Sequence, residues 1–121
     1  MVETRRTTSR REWRLILVWL PSANVTRDAQ LDYIAQDSFL AAIDQDAEIE
    51  KQVDMLLDHP NMGRPGRVKT TRELVIGRTS FIVAYRVKGK RIEILRVLHG
   101  SQQWPRNMRE MLGIRSKNDL Q

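Results

Sequence analysis

The sequence predicts an α+β domain of order β-α-α-β-β-β, an antiparallel sheet with a helical hairpin packed on one face. Three observations predict it. An apolar run ends at Pro21, two helix-period stretches follow with a two-residue break between them, and from Arg72 the apolar period changes to that of a strand. Three sequential strands make a meander, and the first strand pairs with its edge or inserts into it.

The run Leu15-Ile16-Leu17-Val18-Trp19-Leu20 reads as a buried strand within 13–20. It is far short of the ~20 apolar residues that span a bilayer. It is also shorter than a secretory core of roughly 7–15 residues. Pro21-Ser22-Ala23-Asn24 ends the strand, because proline has no N–H for a ladder. A helix is expected over 26–36, capped by Asn24 or Thr26, with Leu31, Ile34 and Ala35 on one face. Asp37-Ser38 breaks it and caps a second helix over 39–57, whose stripe is Ile49, Val53, Leu56 and Leu57.

Pro60 ends that helix, and Asn61-Met62-Gly63-Arg64-Pro65-Gly66-Arg67 is a loop. Strands are expected over 72–76, 80–87 and 91–98, with turns at Gly77-Arg78-Thr79 and Lys88-Gly89-Lys90. Phe81, Val83, Tyr85 and Val87 share one face of the middle strand, and Ile82 and Ala84 the other. Residues 1–12 are expected to be a flexible basic arm, 13–105 one domain, and 106–121 a tail with a short helix near Arg109, Met111 and Leu112.

A length of 121 residues with 40% apolar composition fits one domain with a real core. The absence of cysteine excludes disulfides, thiol nucleophiles and thiolate metal sites. With only His59 and His99 available and no ligand spacing, neither metal nor cofactor is expected. No export signal and no cysteine point to the cytoplasm of a prokaryote, with no membrane partner. The net charge of +6 conceals an asymmetry. Residues 13–59 carry nine acids against three bases, whereas residues 60–97 carry ten bases against two acids. The second half either faces a polyanion or merely decorates the exposed side of a sheet with solvated cations.

Several stretches resemble the RelE/ParE superfamily of toxins from type II toxin–antitoxin modules. They are Asp32-Tyr33-Ile34-Ala35, the loop from His59 to Val68, Thr71-Arg72-Glu73-Leu74-Val75-Ile76, Tyr85-Arg86-Val87, Ile94-Leu95-Arg96-Val97-Leu98-His99-Gly100 and Trp104-Pro105. The resemblance covers 13–105, and the Gly63–Arg67 loop with the Leu98-His99-Gly100 ending looks most like the RelE/StbE plasmid-stabilisation members. It implies a small toxin held inactive by a cognate antitoxin with an acidic flexible segment, which alone brings the pair to operator DNA. RelE-like members cut mRNA on the ribosome with the RNA's own 2′-hydroxyl as nucleophile. ParE-like members cut nothing and stall DNA gyrase with broken DNA.

RNA cleavage of that kind needs a base, an acid and cations around the phosphate. His99 leaves the sheet at a strand end, near the place where the resemblance puts a catalytic His; the competing reading is a strand-end residue bonded to the next loop. Arg72 could clamp phosphate and Glu73 act as base, or both could join a cross-strand ion pair. Arg64 and Arg67 sit in a stiff loop suited to phosphate or to solvent, and Arg78 and Arg86 add to the basic field. Tyr85 could donate to phosphate or belong to the core, and Trp104 could stack on a base or pin the chain end. His59, at a helix end, suits a capping role. Ile82 stands where ribosome-dependent members carry an Arg, their Lys pair falls near Glu73 and Val75, and their C-terminal Tyr is missing. The expected function is a toxin that cleaves ribosome-bound mRNA; the alternative is a non-catalytic gyrase inhibitor on the same fold.

Overall fold

The computed structural model describes residues 4–7 and 15–100. Six strands and two helices follow the order β1 (Thr4–Thr7), β2 (Ile16–Trp19), α1 (Pro21–Asp37), α2 (Phe39–Asp54), β3 (Arg64–Pro65), β4 (Arg72–Val75), β5 (Phe81–Lys88) and β6 (Arg91–His99). A 3-10 turn, Met55–Leu57, extends α2. The sheet order is β1-β2-β6-β5-β4-β3. The α+β class and the helical hairpin are as the sequence predicts.

Three features differ. The sheet is mixed, because β2 runs parallel to β6. The hairpin carries the chain from that edge to the opposite one, and the meander then returns beside β2 in the same direction. Second, Thr4–Thr7, within the segment expected to be a flexible arm, pairs antiparallel with β2 and forms the sheet's outermost strand. Third, α1 starts at Pro21 rather than Thr26. Proline's missing N–H and fixed φ suit the first helical position as well as they end a strand. The tail beyond Gly100, including its expected short helix, lies outside the described residues.

Ser38 separates the helices as expected. Its N–H donates to Ile34 O at 2.9 Å, and its hydroxyl accepts from Ala41 N at 3.1 Å to cap α2. The core lies between helices and sheet. It joins Ala23, Ile49, Val53 and Leu56 to Leu17, Trp19, Leu74, Ile76, Phe81, Val83, Tyr85, Ile92, Ile94 and Val97. Each large apolar side chain so buried contributes about 1.5–3 kcal/mol.

A bulge in β6 decides how α1 docks. Ala84 pairs with Arg96 but Tyr85 with Ile94, so Leu95 has no partner on β5. Two hydroxyls one helical turn apart on α1 meet the backbone groups there. Ser22 Oγ donates to Leu95 O at 2.8 Å, and Thr26 Oγ1 accepts from Val97 N at 2.9 Å. Arg27, on the next position, lies 4.5 Å over the Trp19 ring and reaches Asp46 at 2.6 Å and Glu50 at 2.9 Å on α2. Among the described residues, no helix is long and apolar enough to cross a membrane.

The hydroxyl of Thr26 is therefore a docking group. Thr26→Val keeps the shape but leaves the Val97 N–H without its acceptor. It should lower unfolding stability by about 1–3 kcal/mol in urea titrations, against a near-zero effect for a solvent-facing substitution such as Asp28→Asn.

Candidate functional site

The face of the sheet turned away from the helices carries most of the charged candidates. Its even-numbered positions on β5 are Ile82, Ala84, Arg86 and Lys88, opposite Leu98, Arg96, Glu93 and Arg91 on β6. Glu73 and Val75 continue it on β4, and Arg64 pairs with Glu73 from β3. Ile82, Ala84 and Leu98 are buried on this face.

Two buried glutamates organise the arginines. Glu73 accepts from Arg64 Nη2 at 3.3 Å, and its other oxygen meets Arg67 Nε at 3.3 Å and the Arg67 backbone N–H at 3.1 Å. Glu93 accepts from Arg86 Nε at 2.7 Å and lies 3.3 Å from Arg91 Nε. Burial pushes the Glu93 carboxyl up, but the hydrogen bond and charge of Arg86, with Arg91 beside it, outweigh that and hold it below the usual carboxylate value. Arg72 is turned to the loop, donating to Gly63 O at 2.7 Å.

Tyr85 belongs to the helix-covered face and latches the same loop. Its hydroxyl donates to Pro60 O at 2.8 Å and accepts from Gly63 N at 2.9 Å. Burial raises the phenol's pKa, opposed by the Gly63 amide and the charge of Arg72, so the proton stays available to Pro60. A Cβ at position 63 would stand 2.7 Å from the Tyr85 ring, which is why glycine is required there.

Two grooves flank β4. One, of about 360 Å³, runs between the end of α2 and β4, where Met55, Met62 and Val75 are exposed beside Arg64. The other, of about 470 Å³, continues from Val75 and Arg64 past Thr79 and Ser80 to His99. His99 is exposed at the end of β6, edge-on to Phe81 with ring centroids 6.5 Å apart. Arg78 lies apart, in the β4–β5 turn, with a left-handed φ of 67° beside Asp44 and Glu48 of α2. That turn is pinned by Gln52, which accepts from Gly77 N at 2.8 Å and donates to Gly77 O at 3.0 Å.

The structure thus gathers Arg64, Arg67 and Glu73 into one cluster, with His99 in a groove shared with Arg64. Arg86 is paired on another part of the face, Arg72 and Tyr85 brace the loop, and Arg78 faces α2. Trp104 lies outside the described residues. Sequence reasoning missed the role of Arg27, and it read Ser22 as a strand end and Thr26 as a helix cap where both hydroxyls bond β6. One signal was present: Arg27 is the only Lys or Arg from 15 to 50, amid many acids.

Residues 17–104 match the family model described as "ParE toxin of type II toxin-antitoxin system, parDE". The chain is 47% identical over 73 residues to the putative toxin Y4kP of Sinorhizobium fredii, covering 60% of this chain and 75% of that one. It is 38% identical over 72 residues to toxin ParE1 of Caulobacter vibrioides, covering 60% and 70%. A solved structure of the chromosomal ParDE system from P. aeruginosa superposes with a TM-score of 0.60 at 33% identity, covering 67% of this chain and 90% of that one.

Two measurements check these assignments. Tyr85→Phe removes both bonds to the loop and should cost about 1–3 kcal/mol of stability in denaturant titration. For Glu93 the sign follows from its depressed folded value. Its contribution is complete above the ordinary 4.5 and is lost as pH falls through the lower folded value. Denaturation midpoints should therefore drop on acidification below 4.5 in the wild type, and drop less steeply in Glu93→Gln.

Proposed function

This chain belongs to the ParE toxin family of type II toxin–antitoxin systems, and we propose that it acts without cutting RNA, by binding DNA gyrase and stalling it with its DNA broken. It is a toxin of such a system, and the family implies a cognate antitoxin as its partner. The observation that carries the reading is where the arginines go. Glu73, the candidate base, is buried between Arg64 and Arg67. Arg86 is held by Glu93, Arg72 by the Gly63 carbonyl, and Ile82 is buried where ribosome-dependent relatives carry an Arg. General acid–base cleavage needs a free base, an acid and phosphate-neutralising cations at one point, and here the candidate base Glu73 is buried and already engaged by the neighbouring arginines.

The antitoxin's acidic flexible segment fits the two grooves along β4. Met55, Met62 and Val75 offer apolar burial there, and Arg64 offers charge. Operator DNA is then reached through the antitoxin. The second reading, cleavage of ribosome-bound mRNA, has one observation in its favour: exposed His99 in a groove with Arg64, Thr79 and Ser80.

The two readings separate in paired assays. The purified chain should make gyrase accumulate linear plasmid DNA and leave mRNA on programmed ribosomes intact, and His99→Ala should poison gyrase as the wild type does. Cleaved mRNA with normal supercoiling would overturn the proposal.

A further inference from the structure

The closed end of the helical hairpin is apolar and uncovered. From Asp28 to Ala41 no residue is buried, and only Ala42 is buried in the first half of α2. Yet this end carries Tyr33 at 72% exposure, Phe39 at 69%, Leu40 at 73% and Ile43 at 48%. Scattered exposed apolar residues are ordinary, but four large ones within eleven residues of one turn, Tyr33 on α1 and Phe39, Leu40 and Ile43 on the first turns of α2, give this end an unusual apolar exposure that points to a partner. The patch is also held in shape. The Ser38 bonds to Ile34 and Ala41 fix the turn, and the Arg27 bonds to Asp46 and Glu50 clamp the helices behind it. Little ordering is left for a binding event to impose.

Charge selects the occupant. Residues 28–46 contain five Asp and no Lys or Arg. Asp46 is bound by Arg27, and Asp28, Asp32, Asp37 and Asp44 are exposed around the apolar residues. An acidic antitoxin segment or a nucleic acid would be repelled here, and the basic grooves on β4 suit them instead. A protein that handles DNA must present Lys and Arg to phosphate, so its surface complements this rim.

We propose that the hairpin end is the surface by which the toxin grips its target protein, seating Tyr33, Phe39, Leu40 and Ile43 in an apolar cleft rimmed by Lys and Arg. Naming gyrase as that target rests on the function proposed above. Binding at this end leaves the β4 grooves to the antitoxin.

The test uses the full chain carrying Tyr33→Ser and Leu40→Ser, with the charge variant Asp32→Lys and Asp44→Lys alongside. All four positions are exposed, and circular dichroism checks that both proteins keep the wild-type melting midpoint. Each variant should need at least about tenfold more protein to make gyrase accumulate linear DNA, as expected when anchor residues are lost. Capture by the cognate antitoxin should stay within about twofold of wild type. Gyrase poisoning at wild-type concentrations, or antitoxin capture lost in parallel with it, overturns the proposal. Should the wild type leave gyrase untouched, the target reading fails, and growth arrest on expression then judges the hairpin. Arrest lost by both variants with antitoxin capture intact supports the grip on a protein target, and arrest retained overturns it.

Discussion

A guanidinium held between an indole ring and two carboxylates joins the layers of this molecule. Arg27 leaves α1, stacks 4.5 Å above Trp19 of β2 and bonds Asp46 and Glu50 of α2. Three consecutive elements, β2, α1 and α2, meet on one side chain that is only 13% exposed. Both acids and the aromatic face favour the charged guanidinium, which offsets the cost of taking it out of water. Because α1 itself buries only Ala23 completely, apolar packing alone gives that helix little hold. Arg27, with the Ser22 and Thr26 hydroxyls on the β6 bulge, supplies the rest.

The second sheet face follows a related logic. Ten bases against two acids in 60–97 suggest an open cationic field. Yet those two acids, Glu73 and Glu93, are buried, and each takes up two arginines. Four of the ten cations are therefore ion-paired on this face, although Arg64, Arg67 and Arg91 keep part of their side chains exposed. Exposed Lys69, Arg78 and Lys90 sit on turns and loops instead, and exposed Lys88 ends β5. The basic character survives at the margins of the sheet and along β4, where an apolar strip accompanies it. The hairpin end, with five Asp and no Lys or Arg over 28–46, carries the opposite sign.

Much of this was legible in the sequence because local chemistry dictates it. Ser38 caps α2 as its position between two apolar periods predicts. Gly89, with φ of 60°, makes the β5–β6 turn that Lys88-Gly89-Lys90 announces. Alternation along Phe81–Val87 gives both faces of β5. The rest depends on choices that local residues leave open. Pro21 can end a strand or begin a helix, and here it does both. The β4–β5 turn places Arg78, not the adjacent Gly77, at the left-handed position, which composition alone assigns to the glycine. For the site, the sequence places Arg64 and Arg67 in a stiff loop and leaves Glu73 open between a base and an ion pair. It does not show that Glu73 and Glu93 have already engaged the guanidinium groups of Arg64, Arg67 and Arg86. The hairpin patch went unread for the opposite reason: Tyr33, Phe39 and Leu40 look like core residues until the sheet proves not to reach them.

The single unpaired residue Leu95 sets the facing of everything that follows it in β6. With it accommodated, Val97 enters the core and His99 lies across from Phe81. Were the strand to run on without that extra place, Arg96 would oppose Val83 and be driven among the helices, and Leu98 would take the seat opposite Phe81. The bulge, where two hydroxyl groups of a neighbouring helix meet the strand, thus settles whether an imidazole or an isobutyl group closes the end of the sheet. A cousin with Leu95 deleted would keep His99 at this corner in a regular ladder, whereas one that kept the residue but straightened the strand would show Leu98 there.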